Sequence, residues 1–296
     1  MAESPKYSSP EALAKVAGLG MRARQVVEGP ISGHHRSPFH GFSVEFAEYR
    51  EYSPGDDLRR LDWRVFARSD RFYTKRYEEE TNLRAHLVID ASASMKYKSG
   101  ALSKYDYGCT LAVCLAHLLV GQRDPVGLAL VDKEQRTVIP PSATQAQLVR
   151  IVDTLENSQP DRETELGVVL QEIADRIRQR GMVVIVSDLL TDLDAFYEAL
   201  SRLQYRGHEI LVCQVLDRDE TELPFRDLVV FRDMEGTEEL FAEPWAFRKH
   251  YKEVMQQFIT DVKDRCLARG MDHLLFHTDE DLGDALSRFL HARERA

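Results

Sequence analysis

Asp90, Ser92 and Ser94 stand two residues apart in Asp90-Ala91-Ser92-Ala93-Ser94, so one short loop offers a carboxylate and two hydroxyls. These are hard oxygen donors with no sulfur or imidazole among them, and they suit Mg²⁺ or Mn²⁺ better than zinc. The residues just before them, from Ala85 to Ile89, are mostly apolar and read as a short strand buried on both faces, as in a parallel sheet. Open α/β sheets bind ligands beyond the C-terminal ends of their strands, where the strand order reverses. The competing structural reading is a strand-end Asp that caps its own loop, with the serines as turn formers. At this chain's Asp and Ser frequencies the pattern arises by chance about 0.1 times, so the surrounding elements have to decide.

Those elements alternate regularly after Asp90. Tyr105 to Gln122 predicts a closely packed helix, Val126–Val131 a strand, and Thr137 to Ile139 a second strand, reached by so short a link that the pair is a hairpin. Helices follow at Thr144–Leu155 and Leu166–Arg178. A second wholly apolar strand, Met182 to Ser187, then ends in Asp188. The rest reads as a helix from Leu193 to Leu203, a strand at Glu209–Val215 and a hairpin of Leu228–Phe231 with Leu240 and Phe241. A long helix from Pro244 to Arg269, a strand around Leu274–Phe276 and a helix from Leu282 complete the chain. The fold class is therefore α/β, a doubly wound mixed sheet with helices on both faces. With strand order 3-2-1-4-5-6, the strands ending in Asp90 and Asp188 lie side by side at the switch point. Thr164, on the loop that precedes a helix, points to the same end. Oxygens from Asp90, Ser92, Ser94, Thr164 and Asp188 can then converge on one cation.

The first 83 residues read differently, as an N-terminal extension of one helix and short strands, with residues 84–296 as the α/β domain. Within the extension, His34, His35 and His40 share a loop without metal-ligand spacing. A dense charged block follows, including Arg50, Asp56, Asp57, Arg59, Asp62, Trp63 and Arg68. Arginine forks of this kind make a partner-docking or anion-binding surface, and they serve equally as an ion-pair network pinning an irregular segment. Residues 22–76 carry 11 Lys or Arg against 8 Asp or Glu, a balance of +3, whereas the whole chain stands at −10. That overall charge speaks against general nucleic-acid or anionic-membrane binding. No apolar run approaches the length of a membrane span. The four cysteines form no Cys-x-x-Cys pair and read as reduced core thiols of a cytoplasmic protein.

The Asp-Ser-Ser loop with Thr164 and Asp188 resembles the metal-ion-dependent adhesion site of the von Willebrand factor A fold. The stretch from Gly33 to Arg68, with Gly41-Phe-Ser-Val-Glu-Phe-Ala-Glu-Tyr-Arg-Glu-Tyr-Ser-Pro-Gly-Asp-Asp-Leu-Arg-Arg-Leu-Asp-Trp63, is similar to the signature of the bacterial "domain of unknown function 58" family. Members of that family are often linked to MoxR-type AAA+ ATPases. The resemblance implies that Ser92, Ser94 and Thr164 ligate a divalent cation directly, while Asp90 and Asp188 hold its waters. It also implies a protein partner that supplies an Asp or Glu to the metal, and an adaptor or co-chaperone role beside an AAA+ ATPase. No His, Cys or Lys is tied to the cluster by spacing, so binding fits better than catalysis. The alternatives are a Mg²⁺-dependent phosphate-ester hydrolase using Asp90, and an anion- or nucleotide-binding module using the Arg50–Arg68 block.

Overall fold

The computed structural model describes residues 44–51, 65–66, 72–79, 84–131, 137–160, 165–232, 234 and 239–286, and these fall into two compact units, one within 30–82 and one from 84 onward. In the smaller unit, β1 (Val44–Glu51) pairs antiparallel with β2 (Tyr73–Glu79), with a bulge between Phe46 and Glu48. Part of the charged block, around Arg50, thus lies on β1. Phe66 stacks on Phe72 with ring centroids 4.3 Å apart.

The larger unit is built on β3 (Ala85–Asp90), β4 (Val126–Val131), β5 (Thr137–Ser142), β6 (Met182–Ser187), β7 (Glu209–Leu216) and, after a two-stranded excursion, β10 (Asp272–His277). Their order across the sheet is β10-β7-β6-β3-β4-β5. Every pairing is parallel except β4 with β5, the hairpin that the short link requires. The excursion is the antiparallel pair β8 (Val229–Arg232) and β9 (Glu239–Ala242). The central strands β3, β4 and β6 are almost wholly buried, which is why they read as continuous apolar runs and not as alternations.

Helices cover both faces. On one, α3 (Leu166–Arg176), α4 (Leu193–Tyr205) and α6 (Pro244–Leu267) bury Leu170, Phe196, Leu200 and Val262 against Val88, Ile185 and Val212. On the other lie α1 (Lys104–Gly121) and α2 (Gln145–Glu156), joined where the Tyr105 hydroxyl reaches the Leu155 carbonyl. The Gln147 amide of α2 donates to the carbonyls of Val126 and Pro140, holding the edge hairpin. Ser103 starts α1 with a full capping box to Asp106, and Gly207 and Gly270, both at positive φ, follow α4 and α6. The short helix α5 (Arg218–Glu222) is not predicted by apolar periodicity, because it has no buried residue to show one. Its signal is polar: Asp217 and Glu220 form a capping box. All four cysteines are free and buried, as expected.

Burial of imidazole rings sets one prediction. His86 and His273 are held down to about 4, chiefly by burial, and His208 and His277 are lowered in the same sense for the same reason. For His86 and His273 the unfolded chain takes up the proton near pH 6.5 and the folded chain only near pH 4, so this stability is present above pH 6.5 and lost as pH falls towards 4. His86 and His273 contribute about 3 kcal/mol each over that interval. The urea midpoint should fall between pH 7.5 and pH 5, and His86→Gln should flatten the slope. A midpoint that rises towards pH 5 would refute the assignment.

Candidate metal centre

β3 and β6 run side by side, so the residues at their C-terminal ends meet. Asp90 closes β3, and the Ala91 amide still pairs with the Val131 carbonyl before the chain turns through a 3₁₀ turn at Ala93–Lys96. Met95 and Ala93 are buried beneath this turn, which leaves the Ser92 and Ser94 hydroxyls together at 3.0 Å. The Ser94 hydroxyl in turn donates to Asp188 Oδ2 at 2.7 Å. Asp90, Ser92, Ser94 and Asp188 therefore form one cluster, as the strand order demands. Thr164 lies outside the described residues. So do Asp56, Asp57, Arg59, Asp62, Trp63 and Arg68, as well as His34, His35 and His40. Arg50 lies on β1, opposite Thr74.

Each carboxylate is held from several sides. Asp90 accepts from the Ser92 amide at 2.9 Å and from the Ser187 hydroxyl at 2.5 Å. Burial and then the neighbouring Asp188 charge push its pKa up to about 6, although these hydrogen bonds pull the other way. The sign is opposite to that of the histidines: a carboxyl raised in the folded state loses its contribution to stability as pH climbs through 6. Asp188 Oδ1 accepts from the Leu190 amide at 3.1 Å. Between them Leu189 is fully buried at φ 62°, a left-handed conformation costing a bulky residue on the order of 1–2 kcal/mol. The Ser187 hydroxyl anchors it by accepting from the Leu189 amide at 3.0 Å. Strain of this kind gathers at functional sites, and here it bends the chain back so that Asp188 faces the serines.

The structure also brings in a residue that spacing did not tie to the cluster. Lys104, the first residue of α1, is completely buried, and its ammonium donates to Asp188 Oδ2 at 2.7 Å and to Glu220 Oε1 at 2.6 Å. Burial opposes the charge on Lys104, but the two carboxylates outweigh it and hold the amine above its ordinary range. Spacing ties no lysine to the cluster, and it is the fold that brings Lys104 to it. The reason is distance along the chain: its partners lie 84 and 116 residues away. Nearby, fully buried Asp217 accepts from the Ser99 amide and hydroxyl, the Asp219 amide and the Thr278 hydroxyl, tying the loop before α1 to the ends of β7 and β10.

The donor set fits a small hard cation: two hydroxyls face one another beside two carboxylates whose mutual repulsion is already felt by Asp90. It is also poor in charge. Among the described residues no three His, Cys, Asp or Glu side chains gather as a metal site.

The sheet order, with its antiparallel edge at β5 and its oxygen cluster where β3 and β6 part, makes residues 84–286 a von Willebrand factor A-like α/β domain. The chain belongs to the family described as "Protein of unknown function DUF58", whose sequence model matches residues 48–258. Relatives include the uncharacterized protein Rv1480 of Mycobacterium tuberculosis (strain ATCC 25618 / H37Rv), 28% identical over 97% of this chain and 91% of that one. Among solved structures, the conserved hypothetical protein BatB from Bacteroides thetaiotaomicron is similar with a TM-score of 0.45 at 13% identity, over 72% of this chain and all of that one. A von Willebrand factor type A protein from Catenulispora acidiphila is similar with a TM-score of 0.39 at 10% identity, over 75% of this chain and 43% of that one. The sheet order, and not these scores, defines the fold class. No described helix is long and apolar enough to cross a membrane.

Proposed function

We propose that this protein is a non-enzymatic, divalent-metal-dependent protein-interaction module of the bacterial cytoplasm. The observation that carries the reading is the meeting of Asp90, Ser92, Ser94 and Asp188 at the C-terminal ends of two adjacent strands. Ser92 and Ser94, with Thr164, would hold Mg²⁺ or Mn²⁺ directly, and Asp90 and Asp188 would hold its waters. The cation supplies a Lewis-acidic position that neutral ligands leave short of negative charge, so an Asp or Glu of a partner protein completes it. The partner that family resemblance implies is a MoxR-type AAA+ ATPase, with this chain as its adaptor or co-chaperone.

The hydrolase alternative is disfavoured by the setting of Asp90. It is 4% exposed, and both of its oxygens are engaged, one by the Ser92 amide and the other by Ser187. A nucleophile needs a free oxygen in line with the substrate, and Lys104, held as a cation by two carboxylates, is no general base.

Metal that binds only the folded state raises stability by mass action, so millimolar Mg²⁺ should lift the melting temperature in place of EDTA. Asp90→Ala and Ser92→Ala should each remove that response. An equal Mg²⁺ shift in wild type and Asp90→Ala would eliminate the site. Turnover of phosphate esters by the purified chain, lost in Asp90→Ala, would favour the hydrolase instead.

A further inference from the structure

Lys104 is the feature that an oxygen-only metal site does not account for. Its ammonium is wholly buried and shares a single oxygen, Asp188 Oδ2, with the hydroxyl of Ser94, at 2.7 Å each. It therefore stands one hydrogen-bonded atom away from a hydroxyl that would ligate the metal. A divalent ion there would sit within a few ångströms of a fixed positive charge, in surroundings that screen it poorly. The same ammonium has a second carboxylate, Glu220 Oε1 at 2.6 Å, which belongs to α5 and not to the serine loop.

Glu220 is itself built into a relay of contacts. Its other oxygen accepts from the Asp217 amide at 2.8 Å, closing the cap of α5. Its main-chain carbonyl accepts from the Tyr251 hydroxyl of α6 at 2.8 Å. Arg248, one turn earlier on α6, donates to the carbonyl of Leu223 just beyond α5. Glu220 thus joins Lys104 to a short polar helix with no buried side chain of its own.

We propose that Lys104 is a resident cation of this site, which competes with divalent metal for Asp188, and that metal entry leaves the ammonium paired with Glu220 alone, so that occupancy is passed to α5 and α6. The proposal rests on the metal-binding reading above. In the absence of metal, Lys104 compensates Asp188 and keeps the cluster from repelling itself apart. In its presence, Lys104 weakens the site and makes binding depend on the extra carboxylate of a partner. Glu220 is the alternative partner without which the ammonium could not yield.

The test is calorimetric titration of the full chain with MgCl₂, paired with melts in EDTA and in Mg²⁺, for wild type, Lys104→Met, Glu220→Gln and Asp90→Ala. Removing the like charge should tighten Mg²⁺ by about ten-fold or more in Lys104→Met. That variant should melt below wild type in EDTA and recover most of the loss in Mg²⁺. Glu220→Gln leaves the ammonium to Asp188 only and should weaken Mg²⁺, and it decides the matter should Lys104→Met not fold. Amide exchange across residues 217–223 should change with Mg²⁺ in wild type and not in Asp90→Ala. Equal Mg²⁺ affinity in wild type and Lys104→Met, with binding lost in Asp90→Ala, overturns the lysine proposal and leaves the metal reading standing. Glu220→Gln binding Mg²⁺ as well as or better than wild type overturns it too, and absence of Mg²⁺ binding in all variants removes both.

Discussion

Partner affinity is expected to be weak in EDTA at low salt and strong in Mg²⁺ at high salt. The cluster at Asp90, Ser92, Ser94 and Asp188 offers hydroxyls and carboxylates already engaged with one another, so without metal it presents little to an incoming acidic residue. With metal, the incoming carboxylate gains a bond that water replaces poorly. Truncating a buried charge contact of this type typically costs about 2–5 kcal/mol, roughly one and a half to three and a half orders of magnitude in affinity. A docking surface made of the arginine-rich block between Arg50 and Arg68 would behave in the reverse way. Rim charges act through association rate and are screened at high salt, and EDTA leaves them untouched. Pull-down or surface binding in the two buffers separates the cases. Binding that survives both EDTA and Ser94→Ala would end the adhesion-site mechanism while leaving the fold as described.

Gly181→Ala is expected to be the most damaging conservative substitution in the domain. Gly181 precedes β6, and a Cβ placed there would lie 2.1 Å from the Arg84 carbonyl oxygen and 3.0 Å from its carbon. These are main-chain atoms, which cannot swing aside as a long side chain does. The same oxygen accepts from the Met182 amide at 2.8 Å, and the Gly181 carbonyl accepts from the Glu209 amide at 3.0 Å. Relieving the clash therefore means separating the N-terminal ends of β3, β6 and β7, and with them the register that sets Asp90 beside Asp188. Overpacking of a fixed backbone costs about 1–3 kcal/mol or more, and the strained ladder places this change at the upper end or beyond it. Chemical denaturation should show a markedly lower midpoint, with weaker Mg²⁺ stabilisation in whatever protein remains folded. A variant indistinguishable from wild type in both would mean that the three strands do not approach as closely as described.

Much of this domain was legible in its sequence because its elements are specified locally. Runs such as Leu87–Ile89 and Met182–Val186 are apolar over several consecutive residues, and in elements this short that marks a strand covered on both faces. The short link between Val131 and Thr137 forces a hairpin at any strand order, and right-handed crossovers then leave few places for the remaining strands. Asp90 beside Asp188 follows from that order. The α5 helix was legible only in its polar cap, Asp217 with Glu220, since burial leaves no period in a helix that lies on the surface. Lys104 was not legible at all. At the first position of a helix after a capping serine, lysine looks like an ordinary solvated residue, and nothing within ten residues marks it as buried. Its partners Asp188 and Glu220 are brought to it by the adjacency of β6 and β7 and by the path of the chain after each. Gly181 is the same case in the backbone: its neighbour Arg84 is distant in sequence, and only the parallel pairing of β3 with β6 turns a strand-opening glycine into a point of close approach. Periodicity and turn chemistry act over a few residues and declare themselves in order along the chain. The counter-charge of a buried ammonium and the space beside a Cα depend on which loops and strands end up adjacent, and tertiary structure alone decides that.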